Sequence, residues 1–285
     1  GMGICYTICM PEAIVYTVGQ YLDAVNLALG GAGAVVAGEV AEFRSQGPWV
    51  SFSLRDKGEE AMLKCVVPTW KYARLGVPLE DGMEVKAAGA PRLTKRYGSF
   101  GFWVEAVEPV GEGSLKRAYE LLKKKLEAEG LFARKRALPE FVERVGVVSS
   151  KHGVVIHDFR QNLDNRGFVV YFRDARVEGA SAVEELQEAV AWFNAEMPEL
   201  DALVLLRGGG GLESMQAFNN EAVCRAVFAS RIPTLVGIGH EVDVPLACLV
   251  ADMAVSTPTA AAHAVNTTWE RAVRSVERFD PVRAF

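Results

Sequence analysis

Two textures of apolar and polar residues divide the chain. From Gly33 to Pro109 the apolar runs are short: Ala34–Val40, Trp49–Leu54, Ala61–Val67, Met83–Gly89 and Phe100–Val104. Trp49-Val50-Ser51-Phe52-Ser53-Leu54 alternates at period two, as a strand does when one face lies on a core. A helical turn over Lys71–Leu75 separates the third run from the fourth. Five strands with that punctuation predict an all-β barrel of the OB type. From Arg144 the period changes. Strands at Val145–Ser149, Phe168–Phe172, Ala202–Leu206 and Thr234–Ile238 alternate with helices at about 154–165, 182–195, 214–229 and 244–253. Strand-helix alternation of this kind predicts an α/β domain with a mostly parallel sheet.

Two further helices frame the barrel. Val15, Val18, Leu22, Val25 and Leu29 recur at helical spacing over 14–28. Residues 114–129 place Leu115, Ala118, Leu122 and Leu126 on one face and Lys116, Lys123, Lys124 and Lys125 on the other, with Gly130 as the stop. A helix begins again at Thr259 and runs to about Arg278. The expected organisation is two domains: a nucleic-acid-binding barrel over 14–110, a basic helix and linker over 111–140, and an α/β catalytic domain over 141–285.

Composition narrows the function. Half of the 285 residues are hydrophobic and 24% are charged, the balance of a soluble globular protein. No apolar run reaches membrane-spanning length, and no basic-then-apolar leader opens the chain. The five cysteines are scattered, and Cys5-x-x-x-Cys9 has no second ligand pair nearby, so reduced thiols in a cytoplasm are expected and zinc is not. Net charge is −5, which offers nucleic acid no global attraction. Only residues 111–145 are basic, with 9 cationic against 6 anionic side chains, or +3. Nucleic-acid binding therefore requires local grooves.

The candidate chemistry lies where the second-domain strands end. The run Ala202–Leu206 leads into Arg207 and four glycines, Gly208, Gly209, Gly210 and Gly211. Glycines let backbone N–H groups crowd an anion, and a guanidinium pairs with phosphate through its fork of donors. A tight turn needs fewer glycines, because each adds conformational entropy to be lost. The run Thr234–Ile238 leads into Gly239-His240-Glu241-Val242-Asp243. His240 and Asp243, three apart, share a face on a helical turn, and imidazole transfers protons near neutrality. Asp243 also suits the cap of the helix entered at Pro245. Asp158 follows the first strand and is placed to orient a water or hold a metal, or simply to favour a helix start. In the barrel, Arg44, Trp49, Phe52, Arg96 and Tyr97 combine rings and cations as single-strand stacking platforms do.

These motifs resemble the exodeoxyribonuclease VII large-subunit family. The likeness runs from about Ala13 to Ala264. It includes Tyr16-Thr17-Val18, Gly38-Glu39-Val40, Leu54-Arg55-Asp56, Asp81–Val85, Arg144–Ser150, His157-Asp158, Arg207–Gly210, Phe218-Asn219, Gly239-His240-Glu241 with Asp243, and Thr257–Ala262. The resemblance implies an OB-fold that grips single-stranded DNA and a nuclease domain that cuts it from its ends into oligonucleotides. It implies Asp158, Arg207, His240 and Asp243 as the site, a weak demand for divalent metal such as Mg, and a small helical subunit as partner, recruited by a coiled coil beyond the stretch matched here. The chain departs from the family in Leu206, Gly211 and Ser214. A single-strand-binding module with an inactive nuclease domain is the alternative. A small-molecule phosphate enzyme is a third reading, and the barrel's aromatics argue against it.

Overall fold

A computed structural model describes residues 15–179, 181–239 and 244–277. The barrel comprises β1 (Ala34–Gln46), β2 (Trp49–Arg55), β3 (Met62–Pro68), β4 (Glu84–Leu93) and β5 (Phe100–Pro109). It closes in the order β1-β2-β3-β5-β4, the five-stranded OB arrangement. β1 serves both neighbours: its first half pairs with β4 and its second with β2. A bulge between Ala41 and Arg44 bends it from one to the other, and Asp81 Oδ1 accepts the Phe43 N–H there at 2.8 Å. Parallel pairing of Cys65 with Phe102 and Val66 with Trp103 closes the barrel. Inward positions at period two make the core: Val50, Phe52 and Leu54 from β2, Cys65 and Val67 from β3, Val85 and Ala87 from β4, Phe102 and Val104 from β5.

Helix α1 (Val18–Leu29) is opened by a Thr17–Gln20 capping box and buries none of its side chains. It is moored to the barrel by Asn26, whose amide donates to Leu93 O at 3.1 Å and accepts from Leu93 N at 2.8 Å. Helix α2 (Thr69–Leu75) fills the expected place between β3 and β4. Helix α3 (Gly111–Ala128) follows the barrel. It ends in paired bonds from Leu131 N to Leu126 O (3.0 Å) and from Gly130 N to Glu127 O (2.9 Å), with Gly130 at φ +78. Ala118 lies in the barrel core, whereas Tyr119, Leu122 and Leu126 lie in the core of the second domain.

The second domain holds β6 (Arg144–Ser149), β7 (Val169–Asp174), β8 (Ala202–Arg207), β9 (Thr234–Ile238) and β10 (Met253–Val255). All pairings are parallel and the order is β10-β9-β8-β6-β7. Helices α5 (Ala182–Glu196), α6 (Glu221–Ala229) and α7 (Leu246–Val250) pack with Leu203 and Leu205 on one face. Helices α4 (Val154–Asn162) and α8 (Pro258–Glu277) pack with Val204 and Leu206 on the other. That division explains the unbroken apolar run of β8: both faces are covered, so no position is left polar.

The sequence reading differs from this fold in three places. The segment expected as one helix over 214–229 is a 3-10 helix (Leu212–Asn219) and then α6, divided because Asn220 accepts the Ala222 N–H at 2.9 Å and caps a new helix. The helix expected over 244–253 stops at Val250, and Met253–Val255 pairs with β9 instead. Helix α4 ends at Asn162, so residues 163–165 lie outside it. Among the described residues, no helix is long and apolar enough to cross a membrane.

The linker after α3 is pinned by Arg134, Lys135 and, most extensively, Arg136. Arg136 donates to Asp252 through Nε (2.9 Å) and Nη2 (2.6 Å), and to the carbonyls of Ser230, Arg231 and Ile232. Asp252 also accepts from Thr234 N and Oγ1. Burial works to raise the Asp252 carboxyl, but the bonds from Arg136 and Thr234 outweigh it and hold the group down at about 2.

Candidate active site and nucleic-acid interface

Counted from β6 as the first strand, the sheet order is 2-1-3-4-5. The crossovers from β6 and β8 leave in opposite directions, so a crevice opens at the carboxyl ends of these two neighbours, where open α/β sheets bind ligands. Ser149 Oγ donates to Leu206 O at 3.0 Å and ties the two strand ends together. The β6 loop is held to the end of β7 by Lys151, whose backbone N–H (2.8 Å) and ammonium (3.1 Å) both reach Asp174. The Lys151 backbone hydrogen bond, chiefly, holds the Asp174 carboxyl below its usual range.

Arg207 is the last residue of β8 and is 4% exposed. Its Nη2 stands 3.5 Å from Glu178 Oε2, and its buried Nη1 has no hydrogen-bond partner among the described residues. The glycine run folds over the guanidinium. A Cβ on Gly210 would sit 2.8 Å from Nη2 and 3.3 Å from Nη1, and Gly210 adopts φ +151. Only glycine fits both the space and the backbone angle. Gly208 rests on Val155 of α4, so the loops after β6 and β8 form one wall. Gly209 and Gly211 are exposed beside it.

Asp158 is half-buried on α4. It falls in the second turn, because α4 starts at Val154, so a role as dipole partner of the helix start does not apply. Nearby His157 Nε2 meets Gln161 Nε2 at 2.8 Å. His240 and Asp243 lie outside the described residues, as do Cys5 and Cys9. The residue before that gap, Gly239, donates its N–H to Arg207 O at 3.3 Å. The residue after it, Val244, accepts from Tyr119 Oη at 2.9 Å. Among the described residues no group of three or more His, Cys, Asp or Glu is arranged to hold a metal ion.

On the barrel, Tyr97 is 75% exposed with the Arg96 guanidinium 5.2 Å from its ring centroid. Arg44 is exposed on β1. Trp49 is partly exposed and meets Trp103 edge-on at 5.3 Å, and Arg92 stacks on Trp103 at 5.2 Å. Phe52 is a correction: it is 1% exposed, inside the barrel core, and is not available to a ligand. Beside Trp49 the barrel surface carries the Trp103 ring and the Arg92 guanidinium instead. The period-two signal was present, since Phe102 is buried and its neighbour Trp103 must point outward.

A closed OB barrel with an exposed ring-and-cation face, joined to a parallel α/β domain with an Arg-Gly turn at its switch point, defines the class: an OB-fold barrel of the nucleic-acid-binding kind coupled to a parallel α/β domain. Residues 131–281 match the family described as exonuclease VII, large subunit, and residues 16–108 match the OB-fold nucleic acid binding domain. The chain belongs to the exonuclease VII large-subunit family. It is 41% identical over 231 residues to the exodeoxyribonuclease 7 large subunit of Streptococcus pneumoniae serotype 2, covering 80% of this chain and 51% of that one. It is 40% identical, with the same coverage, to the large subunit of Streptococcus pneumoniae strain Hungary19A-6. The chain thus spans about half the length of the curated relatives it matches.

Proposed function

We propose that the chain is an exonuclease subunit that hydrolyses phosphodiester bonds of single-stranded DNA from its ends and releases oligonucleotides. The observation that carries this reading is Arg207, a buried guanidinium whose Nη1 has no partner among the described residues, under a glycine loop at the switch point of the sheet. The relatives' name, exodeoxyribonuclease 7 large subunit, supports it. In the proposed reaction water attacks phosphorus, the P–O bond to the leaving nucleotide breaks, and that oxygen takes a proton. Arg207 and the N–H groups of Gly208–Gly211 stabilise the charge that builds on the equatorial oxygens. His240 carries the proton as general base or acid. Asp158 and Asp243 orient the water or the imidazole. The strand reaches this site from the barrel, where Trp49, Trp103, Arg92, Arg44, Arg96 and Tyr97 stack bases and neutralise phosphates. The proposed setting is the cytoplasm, with a small helical subunit as partner and no fixed requirement for Mg.

The test is incubation of the chain with end-labelled single-stranded DNA, with and without EDTA, beside Arg207→Ala. Cleavage to short oligonucleotides that vanishes in the variant supports the reading, and the EDTA arm settles the metal. Binding without cleavage would assign the chain to strand capture instead.

A further inference from the structure

The chain pairs arginine with carboxylate in two different ways. Arg136 and Asp252 meet through two short bonds, and backbone carbonyls take further donors of the guanidinium. Arg207, at the end of β8 and more deeply buried than the linker residue Arg136, is offered far less. Among the described residues its one carboxylate neighbour, Glu178, touches a single Nη at 3.5 Å, and the other Nη has no partner. A buried guanidinium so poorly served is costly, and Arg–carboxylate pairing is strongest when both nitrogens are engaged.

Glu178 is also placed to leave. It is 65% exposed on the connection between β7 and α5. Before it, Val177 packs on the core, and after it Gly179 turns at φ +86. Its carboxylate borders a cavity of about 410 Å³ between barrel and second domain, lined also by Arg74, Glu105, Glu213 and Ser214. Thus Glu178 can swing into open space without unpacking anything.

We propose that Glu178 is a specificity-determining placeholder: its carboxylate half-occupies the anion seat of Arg207, and a phosphodiester must displace it to bind. This rests on the reading of Arg207 as a phosphate site. A placeholder weakens the seat for every anion. A strand already held on the barrel presents its phosphate at an effective concentration near millimolar and still fills the seat. A freed product or a dissolved anion does not.

The experiment measures the affinity of the chain for fluorescent 20-nucleotide oligo(dT) by anisotropy at fixed low salt, for the parent, E178Q, E213Q, R207K and E178Q/R207K. E213Q removes a carboxylate from the same cavity and controls for net charge. The expected result is an affinity about threefold to tenfold tighter for E178Q, no such gain for E213Q, and loss of the gain in the R207K background. Equal gains in E178Q and E213Q, or no gain in E178Q while R207K weakens binding, overturn the placeholder and leave Arg207 as a phosphate site. No binding in any form, or indifference to R207K together with no E178Q gain, overturns both. The comparison of E178Q with E213Q keeps the test open if R207K fails to fold.

Discussion

Asn220 occupies the space that a side chain on Gly76 would need: a Cβ there would overlap its carboxamide. Asn220 Nδ2 donates to Leu75 O at 2.9 Å, and Glu221 N donates to Gly76 O at 3.1 Å. The end of α2 in the barrel and the start of α6 in the second domain therefore dock through a residue without a side chain. Gly76 also stands at φ +68, a conformation that L side chains resist. Gly76→Ala is expected to lower stability by about 1–3 kcal/mol, from backbone strain and the displaced Asn220. Chemical denaturation monitored by circular dichroism checks this. A loss of less than a few tenths of a kcal/mol would mean that the two helices do not depend on this contact.

Asp252 predicts an acid response. Its carboxyl titrates at about 2 in the fold against an ordinary value of 3.8. A depressed folded value means that the contribution is fully present above about pH 4 and is lost as pH falls through 2. Asp252→Asn should flatten that part of the stability curve and cost about 3 kcal/mol near neutrality, because Arg136 loses its carboxylate and keeps only carbonyl partners. Urea unfolding from pH 5 to pH 2 tests both. Parallel pH curves for parent and variant would contradict the assignment.

Arg207 should matter for chemistry more than for strand capture. Arg207→Ala is expected to slow cleavage by about 10²- to 10³-fold, the loss typical of a group that stabilises transition-state charge. Affinity for oligo(dT) should fall by a far smaller factor, since in the proposed function the barrel supplies the stacking. Single-turnover cleavage beside anisotropy separates the two. A parallel loss in both would make Arg207 a binding residue.

Trp103 and Phe52 should fail differently. Trp103→Ala removes an outward ring that lies under Arg92 and meets Trp49 edge-on, and is expected to weaken oligo(dT) binding by about 1–3 kcal/mol. Phe52→Ala opens a cavity in the barrel core and should cost about 3–5 kcal/mol of stability. Melting curves and anisotropy on both variants are the measurement. Strand affinity lost in a fully folded Phe52→Ala would restore Phe52 as a contact.

The parallel sheet was legible because Ala202–Leu206 and Thr234–Ile238 are apolar throughout, as strands covered on both faces must be. Arg207 and its glycines stood out as a motif at the end of an apolar run, and the fold places them at the end of β8. β10 did not, since three residues carry no period, and Asn220 dividing one expected helix was hidden within a helical apolar pattern. The inward phase of β2 was misjudged at Phe52 because barrel strands here carry aromatics on both faces. Glu178 left no trace in the sequence: it meets Arg207 from 29 positions away, through the sheet order and not through any motif.

Helix α3 carries a consequence for anyone who would take the protein apart. Its apolar stripe is shared, with Ala118 sealing the barrel and Leu122 and Leu126 sealing the other core. It is a party wall. Cut before it, the barrel loses a closing side; cut after it, the sheet-bearing half is left with an open flank. The two halves are legible as separate inheritances, yet neither can be lifted out whole.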